Sequence, residues 1–370
     1  MRKIILLLVV LGMCMSLKGE PISAVWVLPW NLTRPGAIDS VLVDLQANGQ
    51  NRILAEIRYR ADAIYLPNKL DTTYMNFETR SYIMKGSGFD ALEYLLQEAK
   101  KYEIEVHAWL TILVVTPHDL EKLPIDHFYY KNADWITTDL EGKMMPLTCA
   151  EGYFVDPGIP EVGEYVLDFL SDIVLNYPEL AGIHLDYMRY PRDDFGYHPY
   201  AMQHFELLGR ENNHRNRMLW KEEVLLNLVK NINTRIKSLN PNLEFSVAVV
   251  ADRVKARSHY SQNWVEWLEQ GIVDKVYMMA YTKDDKVLQA QLTDIELQPY
   301  QDKIVVGLRA WSDGKKYPAK EITSKIDLCR TSGYPDIALF SYGGIMDNSY
   351  WQTLKQSYTI SKEFPLTDKN

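Results

Sequence analysis

Cysteine is scarce in this 370-residue chain, which holds only Cys14, Cys149 and Cys329. Three thiols cannot build a four-cysteine zinc site, and with Cys14 in an N-terminal leader they leave at most one intrachain disulfide. Positive charge is also in deficit. Lys and Arg number 40 against 49 Asp and Glu, a formal charge of −9. Residues 1–19 hold Arg2, Lys3 and Lys18 but no acid, so the remainder is more acidic still. A duplex nucleic-acid binder shows the opposite balance, and no nucleic-acid partner is expected. No glycine-rich fingerprint follows the first predicted strand, which weakens nucleotide binding and implies no cofactor. Repeats, low-complexity tracts and domain linkers are missing, and beyond the leader no stretch is long and apolar enough for a transmembrane helix. What is present is 47% hydrophobic and 24% charged, enough apolar material to bury a large core.

Arg2 and Lys3 precede an apolar run from Ile4 to Met15, too short to span a bilayer and suited to the hydrophobic region of a secretory signal. Residues 1–19 therefore read as a signal peptide and 20–370 as one domain, with cleavage near Gly19 although Leu17 is bulky at the −3 position. Leu11-Gly12-Met13-Cys14 has the outline of a lipid-attachment box with an unusually large Met before the cysteine. Export is expected, to the periplasm, the medium or a lipid anchor on the envelope; protein partners are not legible.

The body alternates short apolar strands with helical segments, the pattern of a parallel sheet covered by helices. Strands are predicted at 24–28, 52–57, 105–109, 182–186, 244–249, 275–279, 303–308 and 337–341. Helices fit at 36–48, 88–101, 161–176, 217–238, 260–270, 286–298, 319–332 and 347–356. Eight such units point to an α/β fold, a closed TIM (β/α)8 barrel, with an open doubly wound sheet as the alternative. Its loops are elaborated after strands two, three and four, at 58–87, 110–160 and 192–216, on the face where a barrel carries its chemistry.

The strand-four segment Gly182-Ile183-His184-Leu185-Asp186 puts His184 and Asp186 on one face and ends before Pro191, so Asp186 sits at the barrel mouth. A carboxylate there serves as nucleophile, base or electrostatic stabiliser, or pairs with Arg189 or Arg58. On strand two, alternation sets Glu56 and Arg58 on one side, and a Glu among apolar residues calls for a cation or a catalytic role. Asp62 reads as an ordinary loop acid. Strand three ends with His107 and Trp109 pointing together, an imidazole and an indole platform that suit a sugar. A metal site from His107, His184 and Asp186 is weakly signalled, since no His-Glu-x-x-His spacing occurs. Later strand ends supply Tyr277, Met279 and Tyr281, then Arg309 and Trp311, with Trp26 and Trp30 from strand one; Asp252 and Asp284 are further candidate acids.

With these pieces in place, the chain resembles the glycosyl-hydrolase-like family 10, a largely bacterial exported group of barrels. The resemblance is carried by Val25-Trp26-Val27, Arg58 through Tyr65, His107-Ala108-Trp109, Gly182 through Tyr187 running to Tyr190-Pro191, Met279-Ala280-Tyr281 and Val306-Gly307-Leu308. A common form of the family has two adjacent acids where this chain has Asp186-Tyr187, and often Gln where it has Glu56. The resemblance implies hydrolysis of a glycosidic bond in an oligosaccharide or polysaccharide, with peptidoglycan glycan strands among the candidates.

On that reading Asp186 is nucleophile or general base, and Glu56, or else Asp252 or Asp284, protonates the leaving oxygen. Trp109 lies beneath the sugar, while Arg58, His107, His184, Arg189, Tyr281, Arg309 and Trp311 are the expected substrate contacts. Assistance by a substrate N-acetyl group would dispense with the protein nucleophile. The rival classes are a noncatalytic carbohydrate-binding barrel of the envelope and a metal-dependent polysaccharide deacetylase.

Overall fold

A computed structural model describes residues 20–70, 76–84, 86–312 and 317–355. The leader at 1–19 with Cys14, and the end of the helix expected at 347–356, lie outside the described residues. The strands are β1 (Ser23–Val27), β2 (Arg52–Arg58), β3 (Asp62–Ala63), β4 (Thr79–Arg80), β5 (Glu105–Thr111), β6 (Gly182–Asp186), β7 (Glu244–Val250), β8 (Lys275–Ala280), β9 (Ile304–Arg309) and β10 (Ile337–Phe340). Eight of them run parallel in the order β1-β2-β5-β6-β7-β8-β9-β10, and β10 pairs back onto β1 to close the barrel. The two-residue β3 and β4 extend the sheet beside the end of β2. Strands two, three and four of the sequence reading are thus β2, β5 and β6.

Alternation along each strand divides the core in two. Outward residues such as Val25, Ile53, Ala108, Ile183 and Val247 pack under the helices, whereas Ala24, Trp26, Leu54, Trp109, Tyr277 and Val305 fill the interior. Helices start where their sequence allows. Pro35 and Pro160 open the helices Pro35–Ala47 and Pro160–Asn176, where a missing N–H costs nothing. Asp90 caps Ala91–Ala99 by accepting the Glu93 N–H at 3.1 Å, as a helix N-terminus requires. Helices Pro199–Leu207 and Arg253–Tyr260 add to those expected, and a short helix Tyr342–Asp347 precedes helical residues 351–355. No helix among the described residues is long and apolar enough to cross a membrane.

The N-terminal end of the barrel is plugged by Arg52, which donates to Glu105, Glu244 and the Tyr277 hydroxyl. Just above it, Gly182 leaves room for the His107 ring: a Cβ there would fall 2.3 Å from Nδ1.

Candidate active site

Asp186 is the last residue of β6. Tyr187 follows in the left-handed region at φ 56°, and its N–H donates to Asp186 Oδ1 at 2.6 Å. Glu56 stands on β2 opposite Trp109 of β5. The next pairing is Arg58 with Leu110, so Ile57 is an extra residue, a bulge that reverses alternation. Glu56 stays inside and Arg58 turns out. Beyond it, Arg60 and Ala61 both take positive φ, at 59° and 61°, and return Arg60 to the barrel mouth.

Glu56 and Asp186 line one cavity of about 430 Å³, shared with Trp30, Tyr59, Arg60, Trp109, Glu151, Tyr187, Arg189, Tyr281 and Phe340. The segments after β1, β2, β5 and β6 each contribute. Behind the last of these, buried Lys221 donates to the carbonyls of Asp193 and Phe195, both at 2.9 Å, and burial pushes its pKa down to about 8.

The two carboxylates sit in unlike surroundings. Burial drives the Glu56 pKa well above the ordinary range, Arg60 opposes this, and Asp186 and Asp62 push it further up. Burial also raises Asp186, but Arg189, the Tyr187 N–H, Arg60 and the Trp109 indole all favour its anion. Burial, with Asp186 and Tyr187 adding to it, keeps the Tyr281 phenol protonated far above its usual range, a neutral donor beside the acids. Arg189 lies 4.7 Å over the Tyr187 ring and reaches Glu151 at 3.7 Å. In a pair of buried carboxyls with such divergent surroundings, one can hold a proton while the other is ionised.

Residues 23–318 match the glycosyl hydrolase-like 10 family. The chain belongs to that family. It is 27% identical over 212 residues to Glycosyl hydrolase YngK of Bacillus subtilis (strain 168), covering 56% of this chain and 38% of the relative. To Glycosyl hydrolase DigH of Escherichia coli (strain K12) it is 23% identical over 310 residues, covering 73% of this chain and 64% of the relative. It spans less than two thirds of either. Its fold is similar to that of the PgaB (BpsB) glycoside hydrolase domain from Bordetella bronchiseptica, with a TM-score of 0.69 at 13% identity, covering 91% of this chain and 99% of that one.

Within this glycosyl hydrolase-like barrel the expected site residues separate into three sets. Glu56, Trp109, Asp186, Arg189 and Tyr281 come together in the cavity. Trp311 backs it, packing edge-on against Tyr281 at 5.3 Å, and Arg309 lies 4.3 Å over Trp311 while donating to its carbonyl. The third set lies elsewhere. Arg58 is buried outside the barrel, paired with Glu78, donating to Tyr165 Oη at 2.9 Å and lying 4.4 Å over Phe169. His107 and His184 point inward but sit a layer below the cavity, His107 beside Glu105 at 3.8 Å and His184 between Trp26 and Ser246. Asp252 and Asp284 are exposed helix caps, accepting the N–H groups of Lys255 and Lys286 at 2.9 and 2.8 Å. Asp62, expected on a loop surface, is fully buried and accepts the Ser81 hydroxyl at 2.8 Å. Among the described residues no group of three or more His, Cys, Asp and Glu is placed to hold a metal ion, so the centre weighed at His107, His184 and Asp186 does not assemble.

Arg60 and Glu151 were not singled out from sequence. Arg60 precedes a left-handed Ala61 with no glycine to mark the turn, and Glu151 lies in a segment without periodicity. A larger concavity of about 640 Å³ lies among the outer helices around His214, Glu222 and Arg257. Its Glu222 is already paired with Arg257 at 2.9 Å, and it shares no lining residue with the cavity that holds Glu56 and Asp186.

Proposed function

We propose that the protein is a glycoside hydrolase acting on an extracytoplasmic polysaccharide, with Asp186 and Glu56 as its working carboxylates. The observation that carries this reading is their unequal electrostatic support within one cavity. When two buried carboxyls interact, one ionises at the expense of the other. Four groups favour the Asp186 anion, so Asp186 acts as nucleophile or base and Glu56 holds the proton for the leaving oxygen. Trp109 supplies an apolar face to the sugar, Tyr281 donates to a hydroxyl, and Arg189 meets hydroxyls or a charged substituent. The long segments after β2, β5 and β6 form the substrate wall. Export, as read from the leader, would bring the protein to envelope glycans, and peptidoglycan strands are the first substrate to try.

The test is chromatography and mass analysis of products after the purified protein, beside Asp186→Asn, meets peptidoglycan glycans and other polysaccharides. Shorter saccharides are expected from the unaltered protein, with turnover of Asp186→Asn down by about 10²–10⁴-fold and the fold retained. Near-normal turnover by Asp186→Asn would remove the assignment. Saturable binding without cleavage would favour the noncatalytic barrel, and acetate release lost on chelation the deacetylase.

A further inference from the structure

Arg60 reaches the cavity from a backbone that L-residues rarely hold unaided. It and Ala61 are consecutive left-handed residues, at φ 59° and 61°, and neither is glycine. The turn is clamped at both ends of the Arg60 peptide. Its N–H donates to Thr111 Oγ1 at 3.1 Å, and the same hydroxyl donates to the Arg58 carbonyl at 3.2 Å. Its carbonyl lies 3.0 Å from Nε2 of His127, a residue of the long segment after β5. The Tyr129 N–H donates to Nδ1 of that ring at 3.1 Å. With Nδ1 an acceptor, the proton stays on Nε2, which donates to the Arg60 carbonyl. His127 is fully buried, and burial lowers its pKa, with Glu78 and Asp126 opposing and Arg58 adding to the effect.

The Arg60 side chain is held by two tyrosines, Tyr187 and Tyr59. Its guanidinium lies 5.2 Å over the Tyr59 ring and 5.0 Å over the Tyr187 ring. Nε and Nη1 have no hydrogen-bond partner among the described residues. No salt bridge joins it to Glu56 or Asp186 among the described residues, so the position of its charge follows from where the clamp puts the backbone and from the two tyrosines that hold its guanidinium.

We propose that His127, together with Thr111, is a positioning residue that holds Arg60 beside Glu56 and Asp186 and so tunes the acid of the cleft. The proposal rests on Glu56 being that acid. Glu56 is faced by Arg60, which favours its anion, and by Asp186 of β6 and Asp62 beyond β2, which oppose it; Tyr59 follows just past the end of its strand, and Trp109 stands opposite on β5. Arg60 is thus the cation that offsets two acids. Displacing it makes Glu56 hold its proton to higher pH. The clamp also links the segment after β5 to an acid on β2.

The experiment follows the protonated-carboxyl stretch of Glu56 by difference infrared spectroscopy across pH, assigned by its loss in Glu56→Gln. It needs no substrate, so it is decided whether or not a glycan is cleaved; hydrolysis is tested separately by product analysis. In Arg60→Met the titration should move up by about 1 pH unit or more. His127→Ala should move it the same way, His127→Gln, whose amide can donate to the Arg60 carbonyl, should return it toward the parent, and Arg60→Met/His127→Ala should go no further than Arg60→Met alone. A folded His127→Ala whose Glu56 titration is unmoved while Arg60→Met shifts it overturns the proposal, as does a double variant that shifts further. Should His127→Ala not fold, Thr111→Val releases the clamp from the other end and is read by the same two outcomes.

Discussion

Trp26 donates its indole N–H to Nε2 of His184 at 3.2 Å, and the Ser246 hydroxyl lies 3.0 Å from Nδ1. Nε2 must accept, so the ring is neutral with its proton on Nδ1. Burial pushes its pKa well below the ordinary value, with His107 and Arg52 adding to the effect. His184 lies two residues before Asp186 on the same face of β6. His184 under Asp186 is therefore uncharged, and the Asp186 anion depends on the groups around the mouth, above all Arg189 and the Tyr187 N–H.

His184→Ala strands the Trp26 N–H and opens a void in the barrel. A loss of about 2–4 kcal/mol is expected in urea unfolding. A loss under about 0.5 kcal/mol, the size of an ordinary surface change, would show that this relay does not support the interior.

Glu56→Gln should lower kcat by about 10²–10⁴-fold and remove the alkaline limb of the kcat/KM profile, since the rate falls as Glu56 ionises. Its effect on stability has the opposite sign. Because the folded pKa is raised, Glu56 stabilises the fold fully below the pH where a free glutamate ionises, and that contribution is lost as pH rises to the folded pKa. Gln never ionises. Melting temperatures of the two proteins should coincide in acid and separate as pH rises, with Glu56→Gln the higher; the reverse order would contradict a raised pKa.

Arg58→Met leaves Glu78 buried without its cation. Removal of one partner of such a pair costs about 3–5 kcal/mol, and adding Glu78→Gln should recover part of it. Chemical unfolding measures both. A large fall in turnover with unchanged stability would instead return Arg58 to the site.

Trp30 lines the cavity, is 52% exposed and meets Tyr59 edge-on at 6.0 Å. An indole at the mouth suits a sugar beyond the cleaved bond. Trp30→Ala should raise KM by about 2–10-fold, the worth of one aromatic contact, leave kcat nearly unchanged, and matter more for longer oligosaccharides. A fall in kcat with KM unchanged would place Trp30 at the reacting sugar.

Local pattern by itself determined a good deal here. The eight barrel strands lie within about two residues of where alternation puts them, because alternation and helix caps act over a few neighbours. The same pattern set Asp186 at the end of β6 and turned Glu56, Trp109, His107 and His184 inward. Tertiary structure alone decided the rest. Alternation says which side of a strand a residue faces and nothing of its height along the barrel axis, which depends on the stagger between neighbouring strands. So His107 and His184 face inward yet lie below the cavity. One extra residue at Ile57 sent Arg58 to the outer layer, and the left-handed pair at Arg60 and Ala61 brought a different arginine to the mouth. Asp252 and Asp284 have the right chemistry for an acid, but each follows its strand by enough residues to start a helix instead, and there an exposed backbone N–H claims the carboxylate first.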